Sequence, residues 1–337
     1  MTAFQRQRIF YQGGFFVLFI FAPIFDLLRF DLIAGHLIVF GQPWTLGLDD
    51  YLAGKIDNTR MALNILLRVI APALLVAATV LGIAWRWGRL YCGWLCPHFS
   101  VVETINQLVR KASGKQSIWD QKPGPAWHPD GTPAPTDRRY WLLTVPFALA
   151  FAFLWAVALL TYLLPPAEVY GNLFNGALTR NQMLFIGIGT VALFAEFTFA
   201  RHLFCRYTCA VGMFQSLAWM TNRRAMVVGY QRERARDCAT CPSFCDHICP
   251  MRLKPRTIKR LMFACTQCGQ CIDACHSVQR DNPNGGLLTW IADQQALQAE
   301  GAEGLLTNKS PAAPTRISAQ PLQAATVIPV SAGTNSR

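Results

Sequence analysis

Twelve cysteines stand in the 337-residue chain, and their spacing leaves none over: 92 and 96; 205 and 209; 238, 241, 245 and 249; 265, 268, 271 and 275. The last set, C265-TQ-C268-GQ-C271-IDA-C275, has the C-x2-C-x2-C-x3-C spacing of a bacterial ferredoxin. There, short loops wrap three thiolates around one corner of an iron–sulfur cubane, and the fourth cysteine reaches a neighbouring cluster. The preceding set, C238-AT-C241-PSF-C245-DHI-C249-P, repeats the plan with one extra residue between its second and third cysteines. Exchange of the fourth ligands expects Cys238, Cys241, Cys245 and Cys275 on one 4Fe-4S cluster and Cys265, Cys268, Cys271 and Cys249 on the other. The extra residue makes Cys245 the ligand that spacing fixes least. Structural zinc also accepts four thiolates, but its sites pair two well-separated CxxC knuckles, whereas each set here is packed into one short stretch.

The other four cysteines lie in a repeat. LYCGWLCP (90–97) follows one apolar run and LFCRYTCA (203–210) follows another. If helical, Cys92 and Cys96 share one face of a turn, as do Cys205 and Cys209. A single such pair reads as two small hydrophobes. Its duplication makes Cys92, Cys96, Cys205 and Cys209 a candidate membrane redox or copper site. Four soft thiolates there suit a third cluster, a cuprous ion, or a dithiol–disulfide couple. His98 and His202 flank the pairs, as auxiliary metal ligands or as ordinary interfacial hydrogen-bonding groups. Glu196, inside an apolar run, is a candidate proton relay or quinone contact, or the ion-pair partner of Arg201. The basic cluster Arg252, Lys254, Arg256, Lys259 and Arg260 reads as a lipid-facing or solvated surface. The chain contains no Walker loop, dinucleotide glycine fingerprint or haem-attachment CxxCH.

These groups need elements to hold them. Hydrophobic residues make up 52% of the chain and charged residues 15%, a membrane composition. Apolar runs at 9–25, 61–85, 140–167 and 181–200 each approach the ~20 residues of a transmembrane helix. The net charge of +12 is concentrated on one side of these runs, a positive-inside pattern, which argues for membrane orientation and against nucleic acid. The expected fold is an all-α membrane bundle of four transmembrane helices in two parallel repeats (1–222). A small cytoplasmic α+β ferredoxin-like domain with two 4Fe-4S clusters (223–292) and a disordered tail (293–337) complete it. Both termini then lie in the cytoplasm of a multi-pass bacterial inner-membrane protein. All twelve cysteines fall at or inside the cytoplasmic face, where thiols stay reduced.

GRLYCGWLCP (88–97), FCRYTCAVGMFQSLAWM (204–220), the double cysteine set, GGLLTW (285–290) and RFDLIAGHLIVFGQPWTL (29–46) resemble the membrane-bound 4Fe-4S polyferredoxins. The resemblance is closest to the CcoG/FixG (RdxA) cytochrome oxidase accessory proteins, with kinship to the NapH and NosR type. Ala210 stands where that family usually has proline, and the family's C-terminal immunoglobulin-like domain is absent. The resemblance implies electron transfer from a cytoplasmic donor into the membrane and, for the oxidase branch, reduction of Cu(II) to Cu(I) for cbb-type oxidase assembly, an oxidoreductase role with assembly factors as partners. Two alternatives stand beside it: a quinol-linked conduit to a periplasmic reductase, and a non-enzymatic copper chaperone or assembly scaffold.

Overall fold

The computed structural model describes residues 2–301 apart from 118, 201, 202, 240 and 258. His202 and Arg201 therefore lie outside the described residues, as does the tail from 302.

Among the described residues, three helices are long and apolar enough to cross a membrane: α2 (Asn58–Trp87), α5 (Tyr140–Thr161) and α7 (Arg180–Ala200). The fourth expected crossing, 9–25, falls in α1 (Ala3–Phe21), which does not reach that standard. Its first half carries Gln5, Arg6, Arg8 and Gln12, of which Gln5, Arg8 and Gln12 are buried against protein. Its second half is aromatic: Phe19 stacks between Trp155 and Tyr162 at 4.9 and 5.3 Å, pairs worth about 0.5–1.5 kcal/mol each beyond area burial.

Helix α2 contains a π-type turn at Leu66–Ile70, and its cause is local. Pro72 has no N–H to give the carbonyl of Arg68, four residues back. Trp44 Nε1 donates to that orphaned oxygen at 2.9 Å. Trp44 belongs to an antiparallel meander, β1 (Leu28–Asp31), β2 (His36–Val39) and β3 (Gln42–Trp44), with Asp31 opposite His36 and Leu37 opposite Trp44. The Arg68 guanidinium donates to Thr45 O, which fastens the meander to the helix.

After α2 come the short α3 (Leu90–Trp94) and α4 (Pro97–Ser113). After α7 comes a π-type turn, Phe204–Thr208, and then α8 (Ala210–Thr221). The repeat is thus structural. Cys96 and Cys209 are each the extended N-cap of the following helix, with ψ of 116° and 108°. The condition under which each pair would share one helical face is therefore met only by its first cysteine. The capping position also explains the tolerance for Ala210. The first helical position suits proline because its N–H has no intrahelical partner, and alanine there merely leaves one such N–H in place. Helix α4 packs between α1 and α5, α6 (Pro166–Phe174) follows α5 and packs on it, and α8 packs on α2.

The ferredoxin part contains β4 (Val227–Tyr230) paired antiparallel with β5 (Leu288–Ile291), plus α9 (Phe244–Ile248) and α10 (Gln270–Val278). It is not a detached module. One hydrophobic core joins Val228, Met251, Met262, Cys271 and Leu288 to Phe99, Cys205 and Trp219 of the membrane part. The region from 293, expected to be disordered, begins with a helix, α11 (Asp293–Gly301). It folds because Ala296 is buried in that same core and Asp293 N donates to Arg224 O.

Candidate functional site

Two cavities in the ferredoxin part each gather four cysteines. One is lined by Cys238, Cys241, Cys245 and Cys275 with Tyr230, Arg256 and Leu288. The other is lined by Cys249, Cys265, Cys268 and Cys271 with Val228, Met251, Met262 and Trp290. Two helical turns bring the fourth cysteine of each set to the cavity of the other set. Cys271 and Cys275 lie four apart on α10, and Cys245 and Cys249 lie four apart across α9, so each short helix serves both cavities. The extra residue before Cys245 is absorbed by Ser243, whose backbone takes the left-handed conformation at φ 58°. Arg256 holds that turn by donating to Ser243 Oγ at 3.0 Å and Asp246 Oδ2 at 2.8 Å.

The donor sets suit iron–sulfur clusters. Backbone N–H groups point at the sulfurs: Leu253 N lies 3.4 Å from Cys249 Sγ, and Leu287 N 3.2 Å from Cys275 Sγ. Burial pushes the thiols of Cys245 and Cys265 up to about 12 and raises those of Cys249 and Cys271 as well. An iron-free thiol here keeps its proton, and metal binding must displace it. Bound there, clusters would supply one-electron chemistry.

The four membrane cysteines lie within electrostatic reach of one another. Arg89 Nη2 lies 3.6 Å from Cys92 Sγ and 3.0 Å from Cys205 O. Burial raises the thiols of Cys92, Cys96 and Cys205. Cys96 and Cys92 press Cys205 further upward, and Cys209 does the same to Cys92 and Cys96. His98 sits at the edge of this group, its Nδ1 3.5 Å from Cys205 Sγ and its Nε2 2.9 Å from Glu196 Oε2. Glu196 therefore has His98 as a partner; Arg201, the partner the sequence offered, lies outside the described residues.

Sequence reasoning missed the groups that fix the two halves together. The loop Thr266–Cys268 inserts into the loop after α2. Arg89 N donates to Gln267 Oε1 at 2.7 Å, and Trp94 Nε1 donates to Gln267 O at 3.2 Å. Two glycines permit the approach: a Cβ on Gly93 would lie 2.1 Å from Thr266 O, and one on Gly88 2.3 Å from the Gln267 side chain. The polar half of α1 clamps the same place. Arg8 pairs with buried Glu103 and donates to Gly93 O, Gln12 also donates to Gly93 O, and Gln5 donates to Cys268 O. Gln270 of α10 donates to Glu103 as well. The visible signals were a lone acid in the apolar stretch of α4 and glycines beside a cysteine pair, both of which acquire meaning only once the loops meet. The basic cluster also reads differently in place. Lys259 is buried, donating to Trp219 O and Asn222 O at the end of α8, and Arg252 and Arg256 pair with Asp120 and Asp246.

The family described as a 4Fe-4S binding domain matches residues 69–116 and 181–225. These are the two copies of helix, cysteine pair and helix, and the eight ferredoxin cysteines lie outside both. YccM of Escherichia coli, whose name assigns it to electron transport, is 26% identical over 61% of this chain and 53% of its own length. RdxA of Cereibacter sphaeroides is 24% identical over 61% of this chain and 44% of its own. The ferredoxin-type protein NapH of Escherichia coli is 23% identical over 56% of this chain and 59% of its own. The chain thus spans about half the length of these relatives, and no solved structure matches it. By these matches the chain is similar to membrane-associated polyferredoxin-type electron-transport proteins.

Proposed function

We propose that the chain is a membrane electron conduit. Cys238, Cys241, Cys245 and Cys275 hold one 4Fe-4S cluster and Cys249, Cys265, Cys268 and Cys271 a second. Cys92, Cys96, Cys205 and Cys209 form the membrane redox or metal site that receives the electron, with His98 at its margin. The carrying observation is the insertion of the Thr266–Cys268 loop beside Arg89, which puts a ferredoxin cysteine set and the membrane set on two sides of one buried residue. A donor on the cytoplasmic side reduces the ferredoxin sites. The acceptor in this reading is Cu(II), reduced by one electron to Cu(I), the state thiolates favour, in support of oxidase assembly.

A second reading of the acceptor rests on a separate observation. An apolar groove of about 1350 Å³ runs between the β-meander, α2 and α8 and includes in its lining Gln215, whose Oε1 accepts from Cys92 Sγ at 3.7 Å. Gln215 Nε2 is buried without a hydrogen-bond partner among the described residues. A lipid-soluble quinone, with an apolar tail and a carbonyl acceptor, matches that groove chemically.

Anaerobic iron and copper quantification with electron paramagnetic resonance, on wild type and a Cys92→Ser/Cys205→Ser variant, tests the conduit. The variant is expected to keep the signals of the two ferredoxin clusters and to lose transfer to Cu(II) or to a short-chain quinone. Loss of the ferredoxin signals themselves would make the membrane cysteines structural and overturn the reading.

A further inference from the structure

The membrane cysteine site carries a buried cation. Arg89 is 1% exposed. Its Nη2 faces a sulfur and a carbonyl oxygen, Cys92 Sγ and Cys205 O, rather than a carboxylate. Its Nε has no hydrogen-bond partner among the described residues. A guanidinium so placed is costly unless negative charge is supplied beside it. Ligated thiolates are the chemistry at hand that supplies it. The position is built: Gly212 of α8 leaves the room, since a Cβ there would lie 2.1 Å from Nη2, and Gln267 fixes the backbone from the ferredoxin side.

We propose that Arg89 is the charge-compensating residue of the membrane thiolate site, holding that site at a potential high enough to accept an electron from the ferredoxin part. The inference rests on the conduit reading above. In the step it serves, one electron leaves the reduced ferredoxin site and one arrives at the membrane site, with no bond made or broken. A fixed cation stabilises the more negative, reduced state, so its removal lowers the midpoint potential of the membrane site.

Redox titration of the full chain, followed by electron paramagnetic resonance alongside iron content, tests this in wild type, Arg89→Met, Arg89→Lys and Gly212→Ala. The membrane signal is the one that Cys92→Ser removes. In Arg89→Met that signal is expected to shift downward by at least tenfold in the transfer equilibrium, about 59 mV for one electron, with the signal of the Cys238 set unmoved. Arg89→Lys is expected to restore most of the shift. Gly212→Ala, which displaces the guanidinium but keeps its charge, shifts the signal in the same direction by less. An unshifted signal in Arg89→Met at wild-type iron content overturns the proposal. Should Arg89→Met fail to assemble, unshifted signals in both Arg89→Lys and Gly212→Ala overturn it. A wild type with no signal that Cys92→Ser removes refutes the conduit reading instead.

Discussion

Replacing Gly93 with alanine drives a wedge between the two halves. The new methyl would lie 2.1 Å from Thr266 O and 3.1 Å from Thr266 C, and the first distance falls well inside the ~3.5–4 Å of an ordinary non-bonded contact. The loops must part by more than 1 Å to accommodate it. Three hydrogen bonds converge there: Arg8 and Gln12 to Gly93 O at 3.2 and 3.1 Å, and Trp94 to Gln267 O at 3.2 Å. At about 1 kcal/mol each, their loss weakens docking by ~3 kcal/mol, which corresponds to about a hundredfold in the docked population. All eight ferredoxin cysteines are untouched, so iron content and the ferredoxin signals should match wild type. Reoxidation of the reduced ferredoxin sites by an acceptor at the membrane should slow by at least about tenfold. Stopped-flow absorbance under anaerobic conditions reads that rate. An unchanged rate at full iron content would show that electrons do not pass through the Gly93–Thr266 contact.

Cys275→Ser should deplete the site formed with Cys238, Cys241 and Cys245, while Cys249→Ser depletes the other; iron analysis and spectra that show the opposite pairing would contradict the exchange. Glu103→Gln leaves Arg8 buried without its carboxylate and should destabilise the protein by about 3–5 kcal/mol, measured by thermal unfolding in detergent. Lys259→Met strands two carbonyls, Trp219 O and Asn222 O, at a cost of about 2 kcal/mol read in the same assay. Backbone N–H groups of Ala34 and Ile33, together with Arg29, hold the Asp31 carboxyl below its ordinary value. Its contribution to the β-meander is therefore present above the unfolded carboxylate pKa of about 3.9 and is lost as pH falls through the lower folded value. Asp31→Asn should abolish that acid dependence in hydrogen exchange of residues 28–44.

The cysteine spacing announced two gathered sets because ferredoxin loops are short, and local sequence nearly determines where their sulfurs fall. Even the irregular Cys245 reaches its cavity, since one left-handed residue, Ser243, takes up the insertion. The membrane pairs were legible as a repeat but not in their geometry: four-residue spacing suggests a helical turn, whereas Cys96 and Cys209 cap the next helix instead. Arginine, glutamine and glycine carry no such signature. Arg8, in an otherwise membrane-like run, finds Glu103, 95 positions away, and so clamps the first half of α1 to α4. Lys259 looked solvated because its carbonyl partners belong to the end of α8, beyond the reach of any local pattern. Arg89, Gln267 and Gly93 gained their roles only when two loops distant in sequence met.

The central claim, that electrons reach the membrane cysteines through the ferredoxin sites, is tested most directly by a single-turnover experiment. The ferredoxin sites are first reduced stoichiometrically without oxygen, and their reoxidation is then followed after Cu(II) or a short-chain quinone is added, in wild type and in Cys92→Ser/Cys205→Ser. Rapid reoxidation in wild type, with the ferredoxin signals of the variant still reduced, is the predicted result. Equal reoxidation in both would contradict the account.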